Sequence, residues 1–89
     1  MTFNKRLPTI RTLRYLADMD GPFPIKNRHI ILAAQRFWFG DNVIEFLKLF
    51  PPDAVFHSRD GFIERCKQLE LLIQEERHAP LEVLHSPQG

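Results

Sequence analysis

Disulfide and metal frameworks are absent from this sequence, because its 89 residues include a single cysteine, Cys66. One thiol cannot form an intrachain disulfide, and no histidine stands at a zinc-ligand spacing from it. Unpaired cysteine is among the most buried residue types, so we expect Cys66 to fill space in a core. We expect no metal and no other cofactor.

Long apolar runs are also missing. The longest, residues 30–34, is far shorter than the about 20 residues of a membrane-spanning helix. The basic N-terminal stretch is not followed by the apolar segment of a signal peptide. A lone thiol fits a reducing compartment. We therefore expect a soluble, cytoplasmic protein that does not bind membranes.

Catalytic motifs are the third absence. The four glycines are scattered at positions 21, 40, 61 and 89, so no phosphate-binding loop is present. Cys66 and His57 could be imagined as a nucleophile and its base. However, Cys66 falls on an apolar helical stripe, where a thiolate is disfavoured. Because the sequence offers no convincing set of a nucleophile, a base and a group that orients the base, we expect no enzymatic activity.

Charge is nearly balanced but unevenly distributed. The net charge is +1, yet residues 1–36 carry seven Lys or Arg against two Asp, and residues 37–89 carry five against nine Asp or Glu. The halves therefore carry +5 and −4. This asymmetry indicates a self-complementary surface or a basic face directed at a partner, unless the two sets of charges are simply solvated separately.

Proline and glycine divide the chain into four segments with helical periodicity. Breaks fall at 21–24, Gly40, 50–52 and Pro80. Ser58 is the expected N-cap of the last helix, and Asp41 or Asn42 that of the third. The predicted helices span about residues 9–19, 26–37, 42–50 and 59–77.

These helices predict an all-α fold, a compact single domain with the C-terminal helix longest. The domain comprises residues 1–89, with a core of about 8–78 and a flexible or docked tail at 79–89. Residues 53–57 are expected to be a connector. The predicted core is Ile10, Leu13, Leu16, Phe23, Ile30, Ala34, Phe37, Val43, Phe46, Leu47, Phe50, Phe56, Phe62, Cys66, Leu69 and Ile73.

Three consecutive aromatic residues, Phe37 to Phe39, lie in the stretch QRFWFGD at 35–41. Successive helical residues point about 100° apart, so no single buried face holds all three. We expect Phe37 to point inward and Trp38 or Phe39 to lie at the rim. Exposed aromatics and arginine are enriched at interfaces. We therefore predict a protein-binding site at Trp38, Phe39 and Arg36, with a protein partner or a homodimer. Alternatively, the N-terminal arm or residues 81–84 cover the aromatics.

Nucleic-acid binding is the second hypothesis. Aromatic stacking beside a cationic groove is how proteins hold single strands, and the N-terminal half supplies the cations. The residues predicted for this role are Arg11, Arg14, Lys26, Arg28, Arg36 and Trp38.

A series of short motifs resembles those of a known family. They are Phe23-Pro24, Ile30 and Ala34, Val43-Ile44 with Leu47, Phe50-Pro51, Phe56, and Ser58 with Asp60. Over residues 23–62 the pattern is similar to that of a family of short bacterial helical domains of unknown function. The resemblance implies a small helical module of bacterial origin and brings no catalytic residue.

Overall fold

The order of elements along the chain is helix, strand, helix, helix, strand, helix. The computed structural model describes residues 3–85, with side chains over residues 3–77. The elements of the described residues are α1 (Ile10–Asp20), β1 (Ile25–Lys26), α2 (Asn27–Arg36), α3 (Asp41–Leu47), β2 (Val55–Phe56) and α4 (Arg59–His85). Over this range, the prediction of four helices with the last one longest is confirmed. The all-α description holds only approximately, because the two short strands pair.

Local hydrogen bonds explain where the helices begin. Thr9 caps α1 by accepting a bond from the backbone N–H of Thr12 at 3.1 Å. Ser58 Oγ accepts from the backbone N–H of Gly61 at 2.9 Å, which confirms the predicted cap of α4. The predicted cap of α3 is wrong. Gly40 occupies the N-cap position, with no side-chain cap bond.

Two helices end elsewhere than the proline pattern predicts. α3 ends at Leu47 rather than residue 50, because the chain then tightens into i to i−3 bonds that reach Phe50. α4 passes through Pro80 and continues to His85. A proline removes one helical hydrogen bond and favours a kink, but it does not compel the helix to end. Residues 79–85, expected in a tail, therefore extend α4, and the side chains of 81–84 lie outside the described residues.

A two-stranded antiparallel sheet joins distant parts of the chain. Ile25 pairs with Phe56 and Lys26 with Val55. The backbone N–H of Asn27 continues the contact by donating to the carbonyl of Ala54 at 2.8 Å. The interpretation of 53–57 as a mere connector is therefore wrong. The pairing fixes the start of α2 against the segment that precedes α4.

Most of the predicted core is confirmed, with one clear error. Phe37 was expected inside but is 43% exposed, while Ile10 and Phe23 are only partly buried. An aromatic chain runs through the centre, with ring centroids 5.4 Å apart for Phe50–Phe56 and 4.9 Å for Phe56–Phe62. The buried apolar residues outside the predicted core list are Phe3, Ala17, Ile25, Ala33 and Ile63.

One buried polar side chain, Asn27, ties α2 to the end of α3. It is fully buried, and its Nδ2 donates to the carbonyls of Leu47 at 2.8 Å and Phe50 at 3.3 Å. These carbonyls belong to the last turn of α3 and the residues after it, where helical partners run out. Asn27 therefore stabilises the corner that precedes the second strand.

The N-terminal arm is held against the core by α4. Phe3 is buried and lies edge-on to Phe46, with centroids 5.9 Å apart. Arg77 donates to the carbonyl of Phe3 at 3.1 Å and to that of Lys5 at 2.9 Å. The core thus begins at Phe3 rather than at the predicted residue 8.

Candidate functional site

The chain reverses direction after α2 through a Schellman motif. The backbone N–H of Phe39 donates to the carbonyl of Ala34 at 2.9 Å, and that of Trp38 donates to Gln35 at 3.3 Å. These are the 6→1 and 5→2 bonds that define this helix ending. The motif requires a left-handed residue one position beyond the C-cap, and Trp38 stands there.

Trp38 adopts a φ of 63°, where an L-residue is strained. Glycine usually fills this position because it has no Cβ to collide with the following carbonyl oxygen. For another residue, the left-handed conformation costs roughly 1–2 kcal/mol. The backbone geometry therefore gives no reason for a tryptophan here.

The side chain of Trp38 brings no compensating burial. It is 92% exposed, and Phe37 beside it is 43% exposed. Phe39 is the aromatic that turns inward, lying 6.2 Å from Tyr15 between ring centroids. The expectation that Phe37 points inward is wrong, because the Schellman turn redirects the chain before Phe39. The expectation that Trp38 or Phe39 lies at the rim is met by Trp38.

The N-terminal arm does not cover the aromatic turn, which we define as Phe37, Trp38 and Phe39. Its Phe3 packs on Phe46 in the core instead. The other proposed cover, the side chains of residues 81–84, lies outside the described residues. Trp38 is thus open to solvent in the part of the chain that the structure describes.

Beside the turn lies a groove between α1 and α2, with a volume of about 280 Å³. Met19 and Asp20 come from the end of α1. From α2 and the turn come His29, Leu32, Ala33, Arg36 and Phe37. We call this the α1–α2 groove. His29, Leu32 and Arg36 share one face because they are spaced by three and four residues, and Leu32 is 59% exposed.

The groove contains an acid and a base from opposite walls. Asp20 Oδ2 is buried and makes no hydrogen bond. Burial raises the pKa of the Asp20 carboxyl above its usual range, and the neighbouring His29 partly offsets that shift. Polar and apolar side chains therefore line this groove together, and such a mixed lining suits a partner's side chains.

The cations of the second hypothesis are not all brought together. Lys26 and Arg28 lie at the start of α2, whereas Arg36 lies at its end. At about 1.5 Å per residue, Arg28 and Arg36 are about 12 Å apart along the helix axis. Arg28 also pairs with Asp53. Of the cations predicted for this role, Arg11, Arg14, Lys26 and Arg36 are exposed and make no ion pair within the described residues.

Other kinds of site find little support in residues 3–85. Burial raises the pKa of the Cys66 thiol to about 12, so it stays protonated at neutral pH. No group of three or more His, Cys, Asp or Glu side chains in the described part could hold a metal ion. Nor is any described helix both long and apolar enough to cross a bilayer.

The exposed apolar residues around the turn were only partly predictable. Leu32 falls off the buried stripe of α2, on the same face as His29 and Arg36, so its exposure could have been inferred from helical spacing. The exposure of Tyr15 and Phe37 could not, since it depends on the turn that follows α2.

Comparison with known proteins does not supply a family for this chain. No family model matches it, and neither a curated protein nor a solved structure shows significant similarity to it.

Proposed function

We propose that this chain is a small non-catalytic module that binds a protein through its aromatic turn. The observation that carries the proposal is Trp38, a large aromatic residue held in a strained conformation and 92% exposed. Such a residue lowers the stability of the free chain and gains little from packing. Contact with a partner would bury this side chain, and the burial would offset the cost of the strained conformation.

The neighbours of Trp38 have the composition of a protein interface. Tryptophan, tyrosine and arginine dominate binding hot spots, and Tyr15, Trp38 and Arg36 are all exposed. Leu32 and Phe37 add apolar surface next to them. Scattered exposed apolar residues are ordinary, whereas an adjoining set indicates an interaction site.

Nucleic-acid binding is the alternative proposal, and it shares Arg36 and Trp38 with the first. It is supported by Arg11 and Arg14, which make no ion pair with any other residue that the structure describes. It is weakened by Arg28, whose charge is already offset by Asp53. Protein binding needs only the residues that adjoin the turn, so it is the better supported of the two.

A capture experiment tests the proposed function. The tagged full-length chain is incubated with an extract of the cells that express it, with and without nuclease treatment, in parallel with Trp38→Gly and the control Gln35→Ala. Gln35 is exposed and adjoins the turn, but it is polar. We expect proteins, including untagged copies of the chain, to be retained by the wild type and Gln35→Ala and lost from Trp38→Gly.

Two results would contradict protein binding at the turn. One is a set of retained proteins that is the same for the wild type and Trp38→Gly. The other is retention that disappears with nuclease treatment and falls steeply with added salt, which would favour the nucleic-acid alternative.

A further inference from the structure

The outward face of α4 carries a second exposed apolar surface. Leu71 is 59% and Leu72 is 55% exposed. Gln68 lies one turn before this pair and Glu75 one turn after it, so the four residues share one side of the helix. We call them the α4 stripe. Glu75 is exposed and makes no ion pair within the described residues.

The α4 stripe and the α1–α2 groove expose charges of opposite sign, since Arg36 is exposed while Asp20 of the groove is half-buried. The groove presents Arg36 beside Leu32, and the stripe presents Glu75 beside Leu71 and Leu72. This local contrast follows that of the chain, in which residues 1–36 carry +5 and residues 37–89 carry −4. Charge complementarity of this kind determines which surfaces associate.

The spacing of the two surfaces also matches. Leu32 precedes Arg36 by one helical turn, and Leu71 precedes Glu75 by one turn, about 6 Å along either axis at about 1.5 Å per residue. When α2 of one copy and α4 of the other lie side by side in the same direction, Leu32 can contact Leu71. In the same arrangement, the guanidinium of Arg36 can contact the carboxylate of Glu75. A carboxylate–guanidinium contact of this kind is short, directional and strong.

We propose that the α1–α2 groove binds the α4 stripe of a second copy of this chain. This proposal rests on the proposed function, because it identifies a second copy of the chain as the protein that binds beside the aromatic turn. Each copy offers one groove and one stripe. In the proposed dimer a two-fold axis sets both against the same partner, so that the contact is made twice and the assembly closes.

Light scattering from low to high micromolar concentration tests this proposal with charge reversals of the full-length chain. Arg36→Glu and Glu75→Lys are measured separately and as an equal mixture. The matched controls are Lys48→Glu and Glu45→Lys, which make the same changes of charge on α3 and its C-cap, where the two exposed residues pair with each other.

We expect the wild type to pass from the mass of one chain to that of two. Each reversal alone should raise the dissociation constant at least about tenfold, because it places like charges in contact. The mixture should recover association, since its two chains pair opposite charges at both contacts. The controls should associate as the wild type does.

A wild type that keeps the mass of one chain at high micromolar concentration would overturn the proposal. So would a dimer that neither reversal weakens, or a mixture that fails to recover. These failures differ from failure of the proposed function. A monomeric chain that still captures another protein in a Trp38-dependent way overturns the second copy alone, whereas loss of Trp38-dependent capture overturns the function.

Discussion

Replacing Trp38 by glycine should make the free chain more stable, although it removes the largest side chain of the protein. The substitution relieves a left-handed conformation that costs an L-residue roughly 1–2 kcal/mol. Since Trp38 is 92% exposed, the burial lost is small. With about 250 Å² for a whole tryptophan and about 25 cal/mol per Å², the covered part contributes about 0.5 kcal/mol. We therefore expect a net gain of about 1 kcal/mol.

Trp38→Ala separates the backbone from the side chain. Alanine loses the same small burial but keeps its Cβ in the left-handed conformation, so this variant should be about 1 kcal/mol less stable than Trp38→Gly. Thermal unfolding followed by circular dichroism measures both, and a domain of this size shifts its melting temperature by about 4–8 °C per kcal/mol. A glycine variant less stable than the wild type would refute the reasoning, because Trp38 would then be packed.

Three further predictions concern the buried groups and hydrogen bonds that hold the fold together. Asn27→Ala should lower the free energy of unfolding by about 1–3 kcal/mol in urea denaturation, since the Phe50 carbonyl loses its side-chain donor and the Leu47 carbonyl keeps only the backbone N–H of Phe50. An unchanged midpoint would contradict this. Cys66 should resist alkylation at pH 8 in the folded chain and react once the chain is unfolded. The pKa of its thiol is about 12 in the folded chain, so between about pH 9 and 12 the unfolded thiol ionises while the folded one stays protonated. The free energy of unfolding should therefore fall as pH rises from about 9, and the contribution of Cys66 to that fall should be missing in Cys66→Ala. Arg77→Ala should speed tryptic cleavage after Lys5 severalfold, because two hydrogen bonds that hold the N-terminal arm are lost, whereas an unchanged cleavage rate would show that Phe3 alone anchors the arm.

Helices with a regular apolar stripe were predictable because periodicity is a local property. α4 shows this best: Phe62, Cys66, Leu69 and Ile73 are spaced by four, three and four residues, and all are buried. The cap at Ser58 was predictable for the same reason, since the bond it makes is local.

Features that depend on distant residues were not predictable. The β1–β2 pairing joins Ile25 to Phe56, and two-residue strands carry too little alternation to be recognised. The arm at Phe3 has no periodicity of its own and is buried only because Arg77 and Phe46 lie opposite.

The candidate site was partly predictable for a related reason. The three aromatics and Arg36 stand out in the sequence, and the exposure of one aromatic follows from helical spacing. Which one is exposed depends on the backbone bond from Phe39 to Ala34, and no residue type signals that bond when Trp38 replaces the usual glycine.

The most direct test of an exposed aromatic turn is the fluorescence of Trp38, the only tryptophan of the chain. Acrylamide quenching and the emission maximum are measured on dilute, monomeric wild type. We predict quenching close to that of free tryptophan and a solvent-like emission maximum, with both shifting towards a shielded indole as a partner binds. A blue-shifted, weakly quenched indole in the dilute monomer would show that the chain covers Trp38 itself, and it would contradict the proposed binding surface.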